Sequence, residues 1–466
     1  RHLMSALSKA QSYSVIGYID DDETIHHYLV DGKKIFSPDQ IPYLISELNL
    51  KNVILAIPSA SRNDKNRILS LLSQYPLQVK SLPKVEDLLN DDISVSDVED
   101  LGVDDLLQRD QVLPDETLMA KNIMEKTVMV TGAGGSIGSE LCRQILSYEP
   151  KVLLLVDVSE YSVFRILSEL CRLQTRLVPT SSMQIVPLLG SVQDESWLDS
   201  IVGFWKPDTI YHAAAYKHVT LVQQNVCSSV KNNVIGTWNA TKVAVKHSVK
   251  TFVLISTDKA VRPKSVMGAS KRVAELCVQA RHANDGFANG CIFTMVRFGN
   301  VIGSSGSVIP LFRKQIRDGG PVTVTHEKVT RFFMTIPEAS QLVIQAGALA
   351  KGGEVFILDM GSPIKILDVA RHIIERFGLT VKDTNTGIGD IEIKFVGLRP
   401  GEKLHEELAL GDNPRRTAHD RINRANDSVM PLGVLEGFLD KLEIALKLED
   451  EELVRHILME AAWADS

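Results

Sequence analysis

The feature that most constrains the fold is a glycine-rich turn between an apolar run and a helical pattern. The segment VMVTGAGGSIGSEL places Gly132, Gly135 and Gly138 directly after that run. Glycines at such a turn allow a tight bend, close approach of the backbone to a pyrophosphate, and close packing of helix on strand. The N–H groups of Ser136, Ile137 and Gly138, where the helix begins, can bind phosphates. This context predicts a dinucleotide-binding site.

Apolar runs alternate with amphipathic stretches along the chain, which favours an α/β protein with a mostly parallel sheet. A helix is expected at Ser139–Ser147, and two more after about Met430. We expect strands at Thr127–Thr131, Val152–Asp157, Gln184–Leu189, Thr209–His212, Thr251–Ile255 and Ile292–Arg297. The predicted fold is a doubly wound, Rossmann-type catalytic domain with a smaller C-terminal substrate lobe after about residue 300.

Residues 1–112 form a separate block, for which we expect a truncated Rossmann-like domain ahead of the catalytic domain 113–466, whose cofactor-binding core spans about 118–300. The block begins in a helical pattern, without the strand and phosphate loop that normally open such a unit. Its expected strands are Val15–Asp20, Asn52–Ile57 and Val79–Leu82, and its expected helices Arg1–Ala10, Gln40–Leu48 and Asn63–Gln74. The acidic stretch Asn90–Asp105 is interpreted as a boundary or a solvated loop.

Composition excludes some classes of function. Lys and Arg number 51 against 58 Asp and Glu, a formal net charge of −7, which argues against sequence-independent nucleic-acid binding. The 5 cysteines include no CxxC pair, so we expect buried thiols in a reducing compartment and neither disulfides nor a metal site. No apolar run approaches the ~20 residues of a membrane span. Because the first residue is Arg, we expect a piece of a longer protein.

Two acidic residues follow strands near the glycine-rich turn. Asp157 ends the strand after it, where a carboxylate can accept hydrogen bonds from ribose hydroxyls and would repel a 2′-phosphate. This favours NAD over NADP as cofactor. Asp194, in LLGSVQD, is expected near the adenine, and an exposed loop aspartate is the alternative.

The segment FVLISTDKAVRPKSVMGASK contains the candidate catalytic residues. Thr257, Asp258 and Lys259 follow the carboxyl end of an expected strand, the edge at which ligands bind in open α/β sheets. Met267 and Lys271 are four residues apart and share one face of a helix. An acid beside an amine is suited to an elimination reaction. A surface ion pair at the strand end is the alternative.

The spacing T-G-x-x-G-x-x-G resembles the extended short-chain dehydrogenase/reductase superfamily. Ala213 and Ala214, in HAAA, match its small residues beneath the cofactor, and Asn233, in NNVIGT, matches its helix asparagine. That superfamily has a Tyr and a Lys at the positions of Met267 and Lys271. The Tyr takes a hydroxyl proton while hydride leaves, and the Lys holds the nicotinamide ribose. Because a thioether cannot accept that proton, either the chain is not a redox enzyme or another group is the base.

Residues from about Lys126 to Leu410 resemble bacterial nucleotide-sugar 4,6-dehydratases of polysaccharide biosynthesis. The resemblance lies in HAAAYKHV, STDKA, MGASK, VRFGNVIGSSGSVIPLF, TRFFMTIPEA and GLRPGEKLHEEL. The methionine matches the long, membrane-anchored branch, which acts on UDP-N-acetylglucosamine and retains the configuration at C5. The resemblance implies Thr257 near the 4-hydroxyl, Asp258 as acid, Lys259 as base and Lys271 on the ribose.

The implied reaction begins with oxidation of the sugar at C4 by bound NAD. The ketone acidifies the C5 proton, which Lys259 removes while Asp258 protonates the departing C6 hydroxyl. Hydride then returns to C6, so the substrate loses one water and no cofactor is consumed. The group that takes the C4 hydroxyl proton stays open.

Further residues are expected to bind the UDP-sugar. Arginine suits a diphosphate because its guanidinium donates in a fork geometry. The resemblance places Asn300, Arg331 and Arg399 on the diphosphate and Glu402 near the uridine ribose. Thr323, in the alternating PVTVT, is expected beside the uracil, and Lys217, in AAYKHV, is expected to reach the substrate or to be an exposed loop lysine.

Two other functions stay open: a nucleotide-sugar C4 epimerase of the same superfamily, and a non-catalytic NAD-binding scaffold. An epimerase would need the Tyr that Met267 replaces. We also expect a homo-oligomer. The branch implies that the full-length protein sits at the cytoplasmic face of the bacterial inner membrane, through a segment outside this sequence.

Overall fold

The computed structural model describes residues 14–26, 28–56, 64, 67–68, 71–72, 75, 77–81, 99–100, 113–177, 183–286, 290–304, 306–377, 379–383, 386–410 and 414–464. The chain divides into two compact units. One comprises residues 1–108, 311–324 and 367–396, and the other comprises 109–310, 325–366 and 397–466. The predicted domain division at residue 112 stays a prediction. Among the described residues, no helix has the length and apolar character that crossing a bilayer requires.

The larger unit is built on a sheet that has 9 strands among the described residues. The sheet runs in the order Arg415–Arg416, Ile422–Arg424, Val355–Leu358, Ile292–Arg297, Thr251–Ile255, Thr209–His212, Thr127–Thr131, Val152–Asp157 and Gln184–Leu189. Ile422–Arg424 pairs antiparallel with both of its neighbours, Arg415–Arg416 and Val355–Leu358. The other neighbouring strands pair parallel. The predicted α/β fold class is confirmed, and the six predicted strands of this unit have the predicted bounds.

Burial explains why these segments form parallel strands. Every residue of Thr251–Ile255 is buried, as are the first five of Val152–Asp157. Such continuous apolar runs are typical of sheets covered on both faces. The longer helices of this unit are Ser136–Ser147, Glu160–Leu177, Glu195–Trp205, Gly236–Lys246, Val266–Arg281, Ile336–Leu349, Leu432–Lys447 and Glu451–Trp463. Its shorter helices are Glu116–Lys121, Val219–Gln224, Val226–Val230, Lys231–Ile235, Asp258–Ala260 and His282–Gly286.

The glycine-rich turn packs tightly against the residues that follow the neighbouring strand Thr209–His212. Gly132 has a φ of +67°, and a Cβ on it would lie 2.8 Å from the backbone of Ala213 and Ala214. A Cβ on Gly138 would lie 2.0 Å from the Gly132 carbonyl oxygen. The helix begins at Ser136, three residues earlier than predicted. Its first turn therefore directly follows the tight bend.

The C-terminal helices cover one helix of the core. All residues from Val266 to Ala280 in the helix Val266–Arg281 are buried. Apolar side chains of Leu432–Lys447 and Glu451–Trp463 pack against it. Trp463 also donates a hydrogen bond from Nε1 to the carbonyl of Pro263 at 3.2 Å. The two helices predicted after Met430 are thus present and form part of the core.

The smaller unit contains short sheets. Gly17–Ile19, Lys33–Phe36 and Leu29–Val30 form one, and Asn52–Leu55, Gln78–Ser81 and Glu99–Asp100 form another. Val322–Val324 pairs with Ile393–Phe395, and a helix spans Ile41–Leu48. The three predicted strands of residues 1–112 are thus present, most of them shortened. The predicted helix Arg1–Ala10, most of Asn63–Gln74 and most of Asn90–Asp105 lie outside the described residues.

The remaining short strands and helices sit between these elements. The strands are Asn300–Val301 paired with Phe333–Met334, and Thr330–Arg331 paired with Ile364–Lys365. The helices are Glu23–Ile25, Pro38–Gln40, Val308–Arg317 and Ile366–Arg376.

Replacing Gly138 with alanine is expected to destabilise the fold by about 1–3 kcal/mol, because the added methyl overlaps the Gly132 carbonyl. The matched control is Gly437→Ala in the helix Leu432–Lys447, where a Cβ would meet nothing within 4 Å. That change should stabilise by up to about 1 kcal/mol. Urea unfolding of both variants checks the prediction. Equal stability of the two would contradict it.

Candidate active site

The predicted chemistry lies at the carboxyl end of a central strand. After Thr251–Ile255 the chain enters a short 3₁₀ turn, Asp258–Ala260, and then the helix Val266–Arg281. The amide of Asp258 donates to the carbonyl of Phe298 at 3.0 Å, just beyond the neighbouring parallel strand. The acid is therefore fixed at the edge where ligands bind in such sheets.

Four predicted site residues meet around one carboxylate. Asp258 Oδ1 accepts from Thr257 Oγ1 at 2.9 Å and from Lys259 Nζ at 2.8 Å. Lys259 Nζ also donates to Asn300 Oδ1 at 3.0 Å. Asp258 is fully buried, and its Oδ2 has no hydrogen-bond partner among the described residues. Because it is not solvated, the acid–amine pair differs from a surface ion pair.

Met267 and Lys271 lie on the adjoining helix. Both are buried, at 4% and 5% exposure, and Met267 belongs to an apolar cluster with Val230. Burial lowers the pKa of Lys271 to about 8, and the charge of Glu275 opposes that shift. Met267 has no group that can accept a proton. Any proton taken from a sugar hydroxyl here must go to another residue.

Asn233 is a structural link in this region. It lies in a π-helical turn, Lys231–Ile235, a distortion frequently found at functional sites. Its Nδ2 donates to Ser270 Oγ and to the carbonyl of Tyr216, both at 3.0 Å. Its Oδ1 accepts from the Tyr216 amide at 2.8 Å. Asn233 therefore holds the segment after the strand Thr209–His212 against the helix that carries Lys271.

The residues around the glycine-rich turn fit a dinucleotide. Asp157 is half-buried at the end of its strand, where Oδ2 accepts from Gly134 N and Oδ1 from Ser159 N, both at 3.0 Å. Each carboxylate oxygen retains a lone pair for a ribose hydroxyl. The crowded, Cβ-free turn provides the close backbone approach that a pyrophosphate requires. Asp194 instead caps the helix Glu195–Trp205, and its contact with an adenine stays a prediction.

The predicted substrate residues are only partly gathered. Arg331 Nη2 donates to Glu402 Oε1 at 2.9 Å, and the Arg399 amide donates to Glu402 Oε2 at 3.2 Å. These three are in the larger unit. Thr323 is in the smaller unit, on Val322–Val324, where it exchanges two hydrogen bonds with Gln315.

Lys217 follows the strand Thr209–His212 in an exposed segment, next to Tyr216. Its contact with a substrate stays a prediction, as do the binding roles of Arg331, Arg399 and Glu402.

A buried charge network was not predicted. Arg297 donates to both oxygens of Glu275, at 2.7 and 2.6 Å, and also to Asp427. Arg272 donates to Asp427 at 3.0 Å, and Ser256 Oγ donates to Glu275 at 2.6 Å. The network joins a strand, the helix of Lys271 and the residue preceding Thr257. Arg297 is 22 and 130 residues from its two carboxylate partners in sequence, so no local pattern indicated these contacts.

His212 forms a second buried link. One ring nitrogen lies 2.9 Å from Thr131 Oγ1, before the glycine-rich turn, and the other lies 3.1 Å from Thr237 Oγ1. Thr237 in turn donates to the carbonyl of Asn233 at 2.7 Å. Burial, with a smaller contribution from Lys271, lowers the pKa of His212 to about 3. The neutral ring therefore joins the cofactor side of the site to Asn233.

Glu406, inside the recognised segment GLRPGEKLHEEL, was also missed. Its side chain is 3% exposed, and its oxygens lie 3.9 Å from Lys259 Nζ, Arg331 Nε and Lys403 Nζ. The sequence shows the motif, but it does not show which of the carboxylates in the motif is buried.

The chain is similar to several known proteins. A family model described as "Polysaccharide biosynthesis protein" matches residues 128–427. The capsular polysaccharide biosynthesis protein CapD of Staphylococcus aureus is 44% identical over 370 residues, which are 79% of this chain and 59% of that protein. This chain therefore spans well under two thirds of that relative. A UDP-N-acetylglucosamine 4,6-dehydratase (inverting) of Campylobacter jejuni is 29% identical over 293 residues, 62% of this chain and 79% of that protein.

A solved structure supports the fold. DesIV, a dTDP-glucose 4,6-dehydratase from Streptomyces venezuelae with NAD and TYD bound, superposes with a TM-score of 0.50 at 21% identity. The match covers 60% of this chain and 88% of that one. It confirms the α/β fold with a mostly parallel sheet that the sequence predicts.

Arg297→Met is expected to destabilise the larger unit by about 3–5 kcal/mol, because it leaves Glu275 and Asp427 buried with fewer cationic partners. Lys242→Met is the control, since it breaks only the exposed pair with Glu195 and should cost about 0–1 kcal/mol. Denaturant unfolding followed by circular dichroism measures both. Similar costs for the two variants would show that the network is not structurally important.

The neutral state of His212 predicts a pH dependence of stability. Its folded pKa of about 3 lies below the ordinary 6.5, so this contribution is present above about pH 6.5 and is lost as pH falls towards 3. The loss should approach about 1.4 kcal/mol per pH unit. Unfolding free energies of wild type and His212→Gln, measured across this range, test the prediction. A slope that is unchanged in the variant would contradict it.

Proposed function

Because the chain belongs to the polysaccharide biosynthesis protein family, we propose that it is an NAD-dependent 4,6-dehydratase of UDP-N-acetylglucosamine. One observation carries the proposal. The fully buried Asp258 and the half-buried Lys259 form an acid–amine pair at the carboxyl end of a central strand, while the neighbouring helix has Met267 where a proton acceptor would be. The similarity to a named UDP-N-acetylglucosamine 4,6-dehydratase supports the choice of substrate.

The glycine-rich turn and Asp157 would hold the adenosine diphosphate half of NAD, and Lys271 would hold the nicotinamide ribose. When bound, NAD supplies a hydride acceptor for the sugar C4 and later a hydride donor for C6. Asn300, Arg331 and Arg399 would bind the substrate diphosphate. Glu402 would lie near the uridine ribose. We further propose that Thr323 lies beside the uracil and that Lys217 contacts the substrate.

The residues also suggest a path for the C4 hydroxyl proton. Thr257 Oγ1 donates to Asp258 at 2.9 Å, so a proton released at the 4-hydroxyl can pass through Thr257 to Asp258. Asp258 then protonates the departing C6 hydroxyl. Lys259 removes the acidified C5 proton and later returns one to C5. If it does so on the same face, the configuration at C5 is retained.

This arrangement favours dehydration over the alternatives. An epimerase needs an acceptor for the hydroxyl proton, and because it eliminates no water, its reaction does not use an acid–amine pair. A non-catalytic scaffold has no need to bury Asp258 completely beside Lys259, since an unsolvated charged pair is costly to keep.

Incubation of the protein with UDP-N-acetylglucosamine, without added NAD, should yield a product lighter by one water in mass spectrometry. Asp258→Asn should lower turnover by about 10²- to 10⁴-fold, because an amide cannot carry the proton, while NAD still binds.

The matched control is Asp199→Asn, which alters a surface carboxylate paired with Lys246 and should leave turnover unchanged. An unchanged substrate mass with wild type would refute dehydration. A near-normal rate in Asp258→Asn would refute only the role of that acid.

A further inference from the structure

The starting protonation state of Lys259 poses a problem for the reaction. Lys259 Nζ lies 2.8 Å from Asp258 Oδ1 and 3.0 Å from Asn300 Oδ1, and it acts as the donor in both contacts. An ammonium ion is stabilised by such acceptors, but it cannot remove a proton from C5. One proton must leave the amine before the elimination begins.

Glu406 is the nearest carboxyl that the reaction leaves unused. Its Oε1 lies 3.9 Å from Lys259 Nζ, and its side chain is only 3% exposed. Its Oε2 has no hydrogen-bond partner among the described residues. A buried carboxylate without hydrogen bonds is poorly stabilised, so this group favours its protonated form. In agreement, burial and then the charge of Asp258 raise the pKa of Glu406, against the opposing cations.

The charges around Glu406 allow a proton to move without a change in net charge. The charges that act directly on Glu406 are those of Asp258, Lys259, Arg331 and Lys403. Farther out, Glu402 pairs with Arg331, and the charges of Glu407 and Lys264 act on Lys403. Glu407 itself pairs with Arg262, and His405 bonds to Thr330. Lys403 also donates to the carbonyl of Val261 at 2.6 Å, which fixes it behind the 3₁₀ turn. Moving one proton from Lys259 to Glu406 neutralises one cation and one anion.

We propose that Glu406 is a positioning residue that stores the proton of Lys259 and so presents Lys259 to the substrate as a free amine. The inference rests on the proposed function. In the transfer, one N–H bond of the ammonium breaks, one O–H bond forms on Glu406, and no electrons are exchanged. The proton returns to Lys259 when product leaves, so the step is balanced over the cycle.

This storage leaves the other two groups ready for their tasks. Asp258 begins as a carboxylate that can receive the C4 proton through Thr257. Lys259 begins as an amine that can take the C5 proton. Neither group has to release a proton to bulk water from a site in which Asp258 is fully buried.

The test is the pH profile of kcat for Glu406→Gln. Without the stored proton, Lys259 becomes an amine only by releasing its proton to water, so the acid limb of the profile should move to higher pH. We expect about a 10- to 100-fold loss of kcat near neutral pH that is largely recovered in more alkaline buffer. Glu406→Asp keeps the carboxyl and should keep the acid limb, with a lower maximum.

Glu407→Gln is the matched control, because Glu407 is the adjacent carboxylate and its side chain is 41% exposed in a pair with Arg262. Its profile should equal that of wild type. If Glu406 is only an ion-pair partner that stabilises the ammonium, Glu406→Gln should move the acid limb to lower pH. That result, or an unmoved limb, would overturn the proposal.

An infrared spectrum separates this inference from the proposed function. Wild type at neutral pH should show the band of a buried protonated carboxyl, which Glu406→Gln should lack and Glu407→Gln should keep. This measurement on the apoprotein needs no turnover, so it remains informative if UDP-N-acetylglucosamine is not dehydrated. Absence of the band in wild type would contradict proton storage at Glu406, even if one of the variants does not fold.

Discussion

A parallel β-sheet brings the carboxyl ends of its strands to one edge, and every group assigned to chemistry here depends on that constraint. The glycine-rich turn follows Thr127–Thr131, Asp157 ends the next strand, and the acid–amine pair follows Thr251–Ile255. Far apart in sequence, they become neighbours along the same edge because the strands pair in parallel register. The missing Cβ of Gly132 lets the turn approach the backbone of Ala213 and Ala214, and the missing Cβ of Gly138 lets the helix begin against the Gly132 carbonyl.

Buried charges lie behind this edge of the sheet. Asp258 has no solvent exposure, and a network of two arginines and two carboxylates that are almost fully buried joins the helix Val266–Arg281 to Arg297 and Asp427. Removing charges from water is costly, and in this network the opposite charges compensate one another. Ser256, the residue before Thr257, donates a hydrogen bond to Glu275 and so connects this network to the site. The reactive turn is thereby held on both sides, by Phe298 through its backbone and by Glu275 through Ser256.

Much of the fold was predictable because buried parallel strands are continuous apolar runs with clear ends. The helix after the glycine-rich turn begins three residues before its predicted start, since a serine after glycines is compatible with both a turn and a helix start. The partners of Arg297 were not predictable, because they come together only after distant strands and helices pack. Thr257, Asp258 and Lys259 were predicted at one strand end and lie together there, and Asn300, predicted on the diphosphate, also contacts Lys259. Their roles stay predictions, as does the adenine contact of Asp194, which caps a helix.

We propose that an elimination takes place at this edge, in which hydrogen removed from C4 returns to the same sugar. UDP-N-acetylglucosamine deuterated at C4 allows the label to be followed by NMR and mass spectrometry. The product should be lighter by one water and carry the deuterium at C6. A product of unchanged mass, or one in which the label remains at C4 or is lost to solvent, would contradict it.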